Sequence, residues 1–219
     1  MSAQPFEIDT ALRLVAAAVK AWRVPYLSRR HVRQDPFRTL VSCIMSLRTK
    51  DETTDVAAER LFAKAGTPAA MRALGPERIA RLIFPVGFYN QKSKQIAVLS
   101  DRLLREFGGK VPSDLETLLT FNGVGRKTAN LVVTEAFGLP GICVDTHVHR
   151  ITNRWGYVRT RAPNETEQAL RAKLPQRHWL SINRLLVTYG KRRCTPLSPK
   201  CSECALRPMC PQCGVGRTR

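Results

Sequence analysis

Leu118-Leu119-Thr120-Phe121-Asn122-Gly123-Val124-Gly125-Arg126-Lys127-Thr128-Ala129-Asn130 is the stretch on which the fold turns. An apolar helix over about 114–121 runs into two glycines, and a second helix starts near Arg126. Gly123 and Gly125 permit positive φ and let another backbone come close. The amides of Gly123, Val124 and Gly125 are expected to face outward at the head of the second helix. Free N–H groups and the positive dipole end favour a phosphate there. The pattern predicts a helix-hairpin-helix element over about 114–136 that grips a nucleic-acid backbone without reading bases. A bare G-x-G would be no more than an αα-corner, but here it carries Arg126 and Lys127 in a chain of formal net charge +19.

That charge comes from 36 Lys and Arg against 17 Asp and Glu. It calls for an anionic partner, with nucleic acid foremost, although charge alone gives salt-sensitive, sequence-blind affinity. The 219 residues, 43% hydrophobic and 24% charged, suit one large or two small folded domains. No apolar run approaches the roughly 20 residues that span a bilayer. The stretch Met1 to Glu7 has neither a basic n-region nor a long apolar run, so no export signal and a cytoplasmic, nucleoid-associated location are expected.

Outward from the hairpin the pattern stays helical, with no convincing period-2 alternation. Asp9, Asp35-Pro36, Asp51 and Thr67-Pro68 mark helix starts, and the first run ends near Trp22. Ser113 to Glu116 and Asn164 to Glu167 read as capping boxes. Gly66, Gly75, Gly87, Gly138 and Gly190 fall where helices should stop. Composition shifts once, after Tyr189, to Lys, Arg, Pro and Cys, a tail too poor in apolar residues to hold a core of its own.

Seven cysteines are present, and Cys194, Cys201, Cys204 and Cys210 are spaced C-x6-C-x2-C-x5-C. Four thiolates so close can wrap zinc or a [4Fe–4S] cluster. The unequal spacing, with only one close pair, favours the cubane. Cys213 is spare, and Cys43 and Cys143 read as small buried hydrophobes. Lys191, Arg192, Arg193 and Lys200 flank the first loop of the cluster and suit phosphate contact.

Lys127 lies in the first turn of the second hairpin helix, where the dipole destabilises its ammonium. A partly desolvated lysine of lowered pKa can act as a nucleophile; otherwise it simply neutralises phosphate. Asp145, after Ile142-Cys143-Val144, can cap a helix. Beside a deoxyribose it can also stabilise an oxocarbenium-like transition state and move a proton. His147 and His149, at i and i+2, point apart on a helix, so packing or phosphate contact fits them better than a metal.

The combination of G-V-G-R-K-T-A-N at 123–130, V-D-T-H at 144–147 and the four-cysteine spacing resembles the endonuclease III family of helix-hairpin-helix DNA glycosylases. Similarity extends through Thr67 to Met71, Gly87 to Asn90 and Phe137-Gly138, from about residue 30 to 210. The resemblance implies a two-lobed all-α fold. A six-helix barrel would occupy 28–140, and a second lobe would join 1–27 to 141–219 with the cluster loop at 194–210. DNA would cross the cleft between them. It implies a monomeric base-excision glycosylase with AP-lyase activity on oxidised pyrimidines in damaged duplex DNA, flipped out of the stack. Lys127 would be the Schiff-base nucleophile, Asp145 its acid–base partner, and the four cysteines the ligands of a [4Fe–4S] cluster. A monofunctional glycosylase, or a non-catalytic DNA-binding protein with a structural metal, is the alternative. Three positions depart from the family pattern. Asn122 replaces a proline, Arg48 stands where a glutamine fills the gap left by the flipped base, and Phe88 takes the wedge position of a smaller aliphatic residue. Arg48 can stack in that gap, Phe88 can insert between base steps, and Asn90 accompanies them as a DNA contact.

Overall fold

The computed structural model describes residues 6–20, 22 and 35–219. The expected lobe boundary at 27/28 lies outside the described residues. Ten α-helices form among them, with one 3₁₀ turn and no strand: α1 (Ile8–Val19), α2 (Pro36–Ser46), α3 (Asp51–Phe62), α4 (Pro68–Ile83), α5 (Tyr89–Phe107), α6 (Leu115–Leu119), α7 (Arg126–Ala136), α8 (Thr146–Arg154), α9 (Pro163–Lys173) and α10 (Trp179–Arg192). The all-α expectation holds. The chain divides into two compact units, Met1–Val24 with Pro140–Arg219, and Pro25–Leu139.

The second of these holds α2 to α7. Asp35 caps α2, its side chain accepting from the Arg38 amide at 3.0 Å, with Pro36 at the first turn. Every residue of α2 from Thr39 to Met45 is buried, so this helix runs through the core, with α3, α5 and α7 packed on it. Leu40, Ile44, Leu61, Met71, Ile79, Ile96, Leu103 and Leu118 fill the interior, each contributing roughly 1.5–3 kcal/mol of burial. Gly75, at φ 72°, breaks α4 into two segments just before Pro76 rather than ending it.

The first unit packs α1 and α8 against α10, and α9 against α8. Ile8, Leu12, Val15, Val148, Ile151, Trp155, Leu170, Ile182 and Leu186 form its core. Leu206 is buried in the same cluster, so the cysteine-rich tail is anchored by an apolar contact as well.

Other local readings fail as well. The first helix stops at Val19. The cap of α6 is Asp114, not Ser113, accepting from the Thr117 amide at 2.7 Å. Pro163 starts α9, so Asn164 caps nothing; Glu165 instead accepts from the Arg161 amide at 2.8 Å. Gly190 lies inside α10, not after it. A Cβ there would collide with the His147 ring and with Arg150, so this glycine serves the close approach of α8.

Asp9 on α1 pairs with Arg177 at 2.6 Å and with His178 in the 3₁₀ turn Gln176–His178. Hydrogen bonds from Arg177 and His178 hold its carboxyl down to about 2 from an ordinary 3.8. A depressed folded-state pKa contributes stability that is full above the unfolded value and fades as pH falls through the folded one. Asp9→Asn should therefore flatten the stability-versus-pH curve between pH 3.8 and about 2, leaving it unchanged in shape at neutral pH, as read by chemical denaturation at each pH.

Candidate functional site

The hairpin is built from α6, a turn at Asn122 to Gly125, and α7. Gly123 uses its freedom at φ 80°. The Gln95 side chain approaches a notional Cβ there to 3.1 Å, so a larger residue would be strained twice over. Gly125 does not need positive φ: it is extended at φ −88° and is the N-cap of α7, with no side chain capping the helix. The Val124 amide is not presented outward. It donates to the Phe121 carbonyl at 3.1 Å while the Val124 side chain buries in the core. Anion-binding capacity therefore rests on the uncapped first turn of α7. Gly123, Gly125, Arg126 and Asn122 are all exposed around it.

Lys127 is exposed in that first turn, so the expected partial desolvation is not found. Its charge acts on Cys43 in α2, whose thiol burial nevertheless pushes up to about 12, which leaves Cys43 an inert core residue. Cys143 is buried likewise.

Two loops of the same unit carry Arg48 and Phe88. Both residues are left-handed, at φ 53° and 59°, a conformation costing a bulky side chain about 1–3 kcal/mol and characteristic of functional loops. Phe88 is 58% exposed, which excludes a core role for it. The Arg48 guanidinium sits over the Phe88 ring at 5.8 Å, and Asn90 is exposed nearby in α5. Sequence reasoning missed what holds these loops: Lys92, Thr49 and Gly87. The legible signal was a lysine at spacing 4-3-4 with Ile96, Leu99 and Leu103 on the apolar face of α5.

In the other unit Asp145 caps α8, one carboxylate oxygen accepting from the His147 and Val148 amides at 2.9 Å each. The capping reading is realised, and the carboxylate is 9% exposed. His147 is half-buried with Nδ1 3.0 Å from Arg150 Nη2, and His149 Nδ1 lies 2.6 Å from Thr166 Oγ1, so the two point apart as expected. At the far end of α8 two arginines reach into the tail. Arg154, buried, donates to the Thr195 and Pro196 carbonyls at 2.7 Å each and to Cys194 Sγ at 3.3 Å. Arg150 donates to the Cys194 carbonyl at 2.9 Å and to that of Gly190 at 3.2 Å.

The structure brings Cys194, Cys201, Cys204 and Cys210 round one cavity, with Arg154, Tyr189, Arg193 and Lys200 in its wall. The Tyr189 hydroxyl lies 3.0 Å from Cys204 Sγ. No group of three or more His, Cys, Asp or Glu among the described residues is arranged to hold a metal ion as it stands. Four thiols round one cavity, with an Arg154 N–H on Cys194 Sγ and the Tyr189 hydroxyl beside Cys204 Sγ, are a donor set suited to an anionic sulfur-ligated centre. Of the flanking cations, Lys191 and Arg192 are exposed, whereas Arg193 pairs with Glu203. Cys213 is exposed and outside the cavity lining. No helix of the described residues is long and apolar enough to cross a membrane.

A hairpin with an uncapped helix start, a lysine in that turn, and a thiol-lined tail define a recognisable class. Residues 41–176 match the HhH-GPD superfamily of base excision DNA repair proteins, and the chain belongs to it. Within that class it is 47% identical over 182 residues to the endonuclease III of Thermotoga maritima, across 83% of this chain and 85% of that one. It is 36% identical over 187 residues to the Bacillus subtilis endonuclease III, with 85% of each chain covered. Its fold superposes on a trapped endonuclease III–DNA covalent intermediate, an estranged-adenine complex, with a TM-score of 0.83 and 32% identity over 94% of this chain and 95% of that one.

Replacing Arg154 with Met removes a buried charged donor from three acceptors and should cost about 3 kcal/mol. Limited proteolysis should then cut within residues 195–200 faster than in the unaltered protein, because the Thr195 and Pro196 carbonyls lose their donor.

Proposed function

We propose that this chain is a base-excision DNA glycosylase with AP-lyase activity, acting as a monomer on oxidised pyrimidines in duplex DNA. The observation that carries the reading is Lys127, exposed in the uncapped first turn of α7 directly behind the hairpin. Phosphate would lie on the first-turn amides of α7, with Gly123, Gly125 and Arg126 beside them, and Lys191, Arg192, Arg193, Lys200 and His147 would serve as further phosphate contacts. The same turn offers the amine to the adjoining deoxyribose. The neutral Lys127 amine attacks C1′, a C–N bond forms, and the damaged base departs with the glycosidic electron pair and takes a proton. Asp145 receives the proton released by the attacking nitrogen. The C1′–O4′ bond then opens, O4′ taking a proton, to leave a Schiff base between C1′ and the lysine nitrogen; this acidifies C2′, and loss of a C2′ proton breaks the C3′–O bond, cutting the strand by β-elimination.

Arg48 would occupy the gap left by the flipped base and hydrogen-bond its estranged partner, while Phe88 wedges between base steps. Cys194, Cys201, Cys204 and Cys210 would hold a [4Fe–4S] cluster. When bound, it supplies a rigid anionic knot that fixes the basic loop in shape.

Three experiments test this. Borohydride treatment of the protein with abasic-site duplex should give a stable covalent adduct, abolished in Lys127→Ala. Asp145→Asn should slow base release by about 10²–10⁴-fold. Base release by the unaltered protein with no adduct at all would mean that water, not an amine, is the nucleophile. Separately, protein isolated without air should be brown and carry about four irons per chain; a colourless protein containing zinc would overturn the cluster assignment.

A further inference from the structure

Lys92 is only 5% exposed, an unusual place for a cation. Its Nζ donates to the carbonyls of Met45, at 2.9 Å, and Leu47, and to Thr49 Oγ1 at 3.2 Å. The two carbonyls lie at the C-terminal end of α2, where they lack helical partners and where the dipole favours positive charge. Thr49 Oγ1 in turn accepts from the Gly87 amide at 3.1 Å. Gly87 must be glycine, because a Cβ would stand 2.7 Å from the Arg48 carbonyl oxygen. The Lys92 amide itself donates to the Phe88 carbonyl at 3.0 Å. One residue therefore holds the loop of Arg48 through its side chain and the loop of Phe88 through its main chain.

We propose that Lys92 is a positioning residue that locks Arg48 and Phe88 into one preorganised pair, so that both enter the duplex together when the target nucleotide leaves the stack. The proposal rests on the reading of Arg48 and Phe88 as the inserting residues. Neither left-handed conformation has glycine to ease it, so each needs an outside constraint. The ammonium supplies one: it pulls three oxygens from residues 45, 47 and 49 onto a single point and forces the chain to reverse at Arg48. Burial draws the lysine down to about 8, so at neutral pH it remains charged, with a proton for each acceptor. It touches no reacting atom by this account; it acts through the two loops.

The test is the fluorescence of 2-aminopurine placed opposite a tetrahydrofuran abasic-site analogue in duplex DNA. Binding of the unaltered protein should raise the fluorescence as the opposing base is unstacked. Lys92→Met should cut that rise about fivefold or more, with anisotropy showing the duplex still bound. Thr49→Val, which removes the oxygen shared by Lys92 and Gly87 but leaves the two carbonyl contacts of Lys92, should give a smaller cut in a protein that still folds. An undiminished rise in a folded Lys92→Met protein overturns the proposal. If Lys92→Met does not fold, an undiminished rise in Thr49→Val overturns it. So does a loss of rise matched in both variants by an equal loss of binding. The readout needs no chemistry: a protein that fails borohydride trapping yet shows the rise, and loses it on Lys92→Met, would refute the lyase reading and sustain this one. An unaltered protein that is trapped normally but gives no rise would refute this one alone.

Discussion

A carbonyl oxygen at the end of a short helix must find a donor, and in this molecule the donor is repeatedly a cation. Lys92 meets the end of α2. Arg60 reaches the Leu82 and Phe84 carbonyls at the end of α4. Arg102 reaches that of Thr120 at the end of α6, at 2.9 Å. Arg150 and Arg154 reach the tail beyond α10. Helices this short cannot stand on propensity alone, and charged donors make the stronger hydrogen bonds. The charge surplus thus has two uses: some cations are consumed within the fold, and others remain on the surface for an anionic partner.

That division bears on how the nucleic-acid grip is organised. The hairpin presents fewer outward amides than a G-V-G turn suggests, because Val124 turns its amide inward to Phe121. What remains is an uncapped helix start beside exposed Arg126 and Lys127. The preference for negative charge is therefore concentrated in one turn of α7, where the candidate nucleophile also sits. On the proposed reading, binding and chemistry share an element, which favours placing a sugar by holding its phosphate.

Much of this was legible in the sequence, and the exceptions have physical causes. Helix starts with a side-chain acceptor and proline, at Asp35-Pro36 and Thr67-Pro68, were read correctly because the cap is a local interaction. Gly190 was misread because its role is set by a helix far away in sequence; glycine as a stop and glycine as a contact look alike in one dimension. Asp145 was read as a helix cap or as an acid–base group, and the geometry displays the cap. Lys92, Arg150 and Arg154 went unnoticed as structural residues because their partners are main-chain oxygens, which every residue possesses and no pattern marks. Lys127 occupies the turn it was expected to occupy, but solvent reaches it; burial depends on neighbours that the spacing of a motif does not specify.

The docking of the cysteine tail by Arg150 and Arg154 has an evolutionary side. Carbonyls of Cys194, Thr195 and Pro196 are what the guanidinium groups recognise, not the side chains of Thr195 and Pro196. Any residue able to trace the same path offers the same oxygens. Drift in this loop is thereby decoupled from its attachment, so its outward face is free to change in sequence while the joint beneath stays as it is.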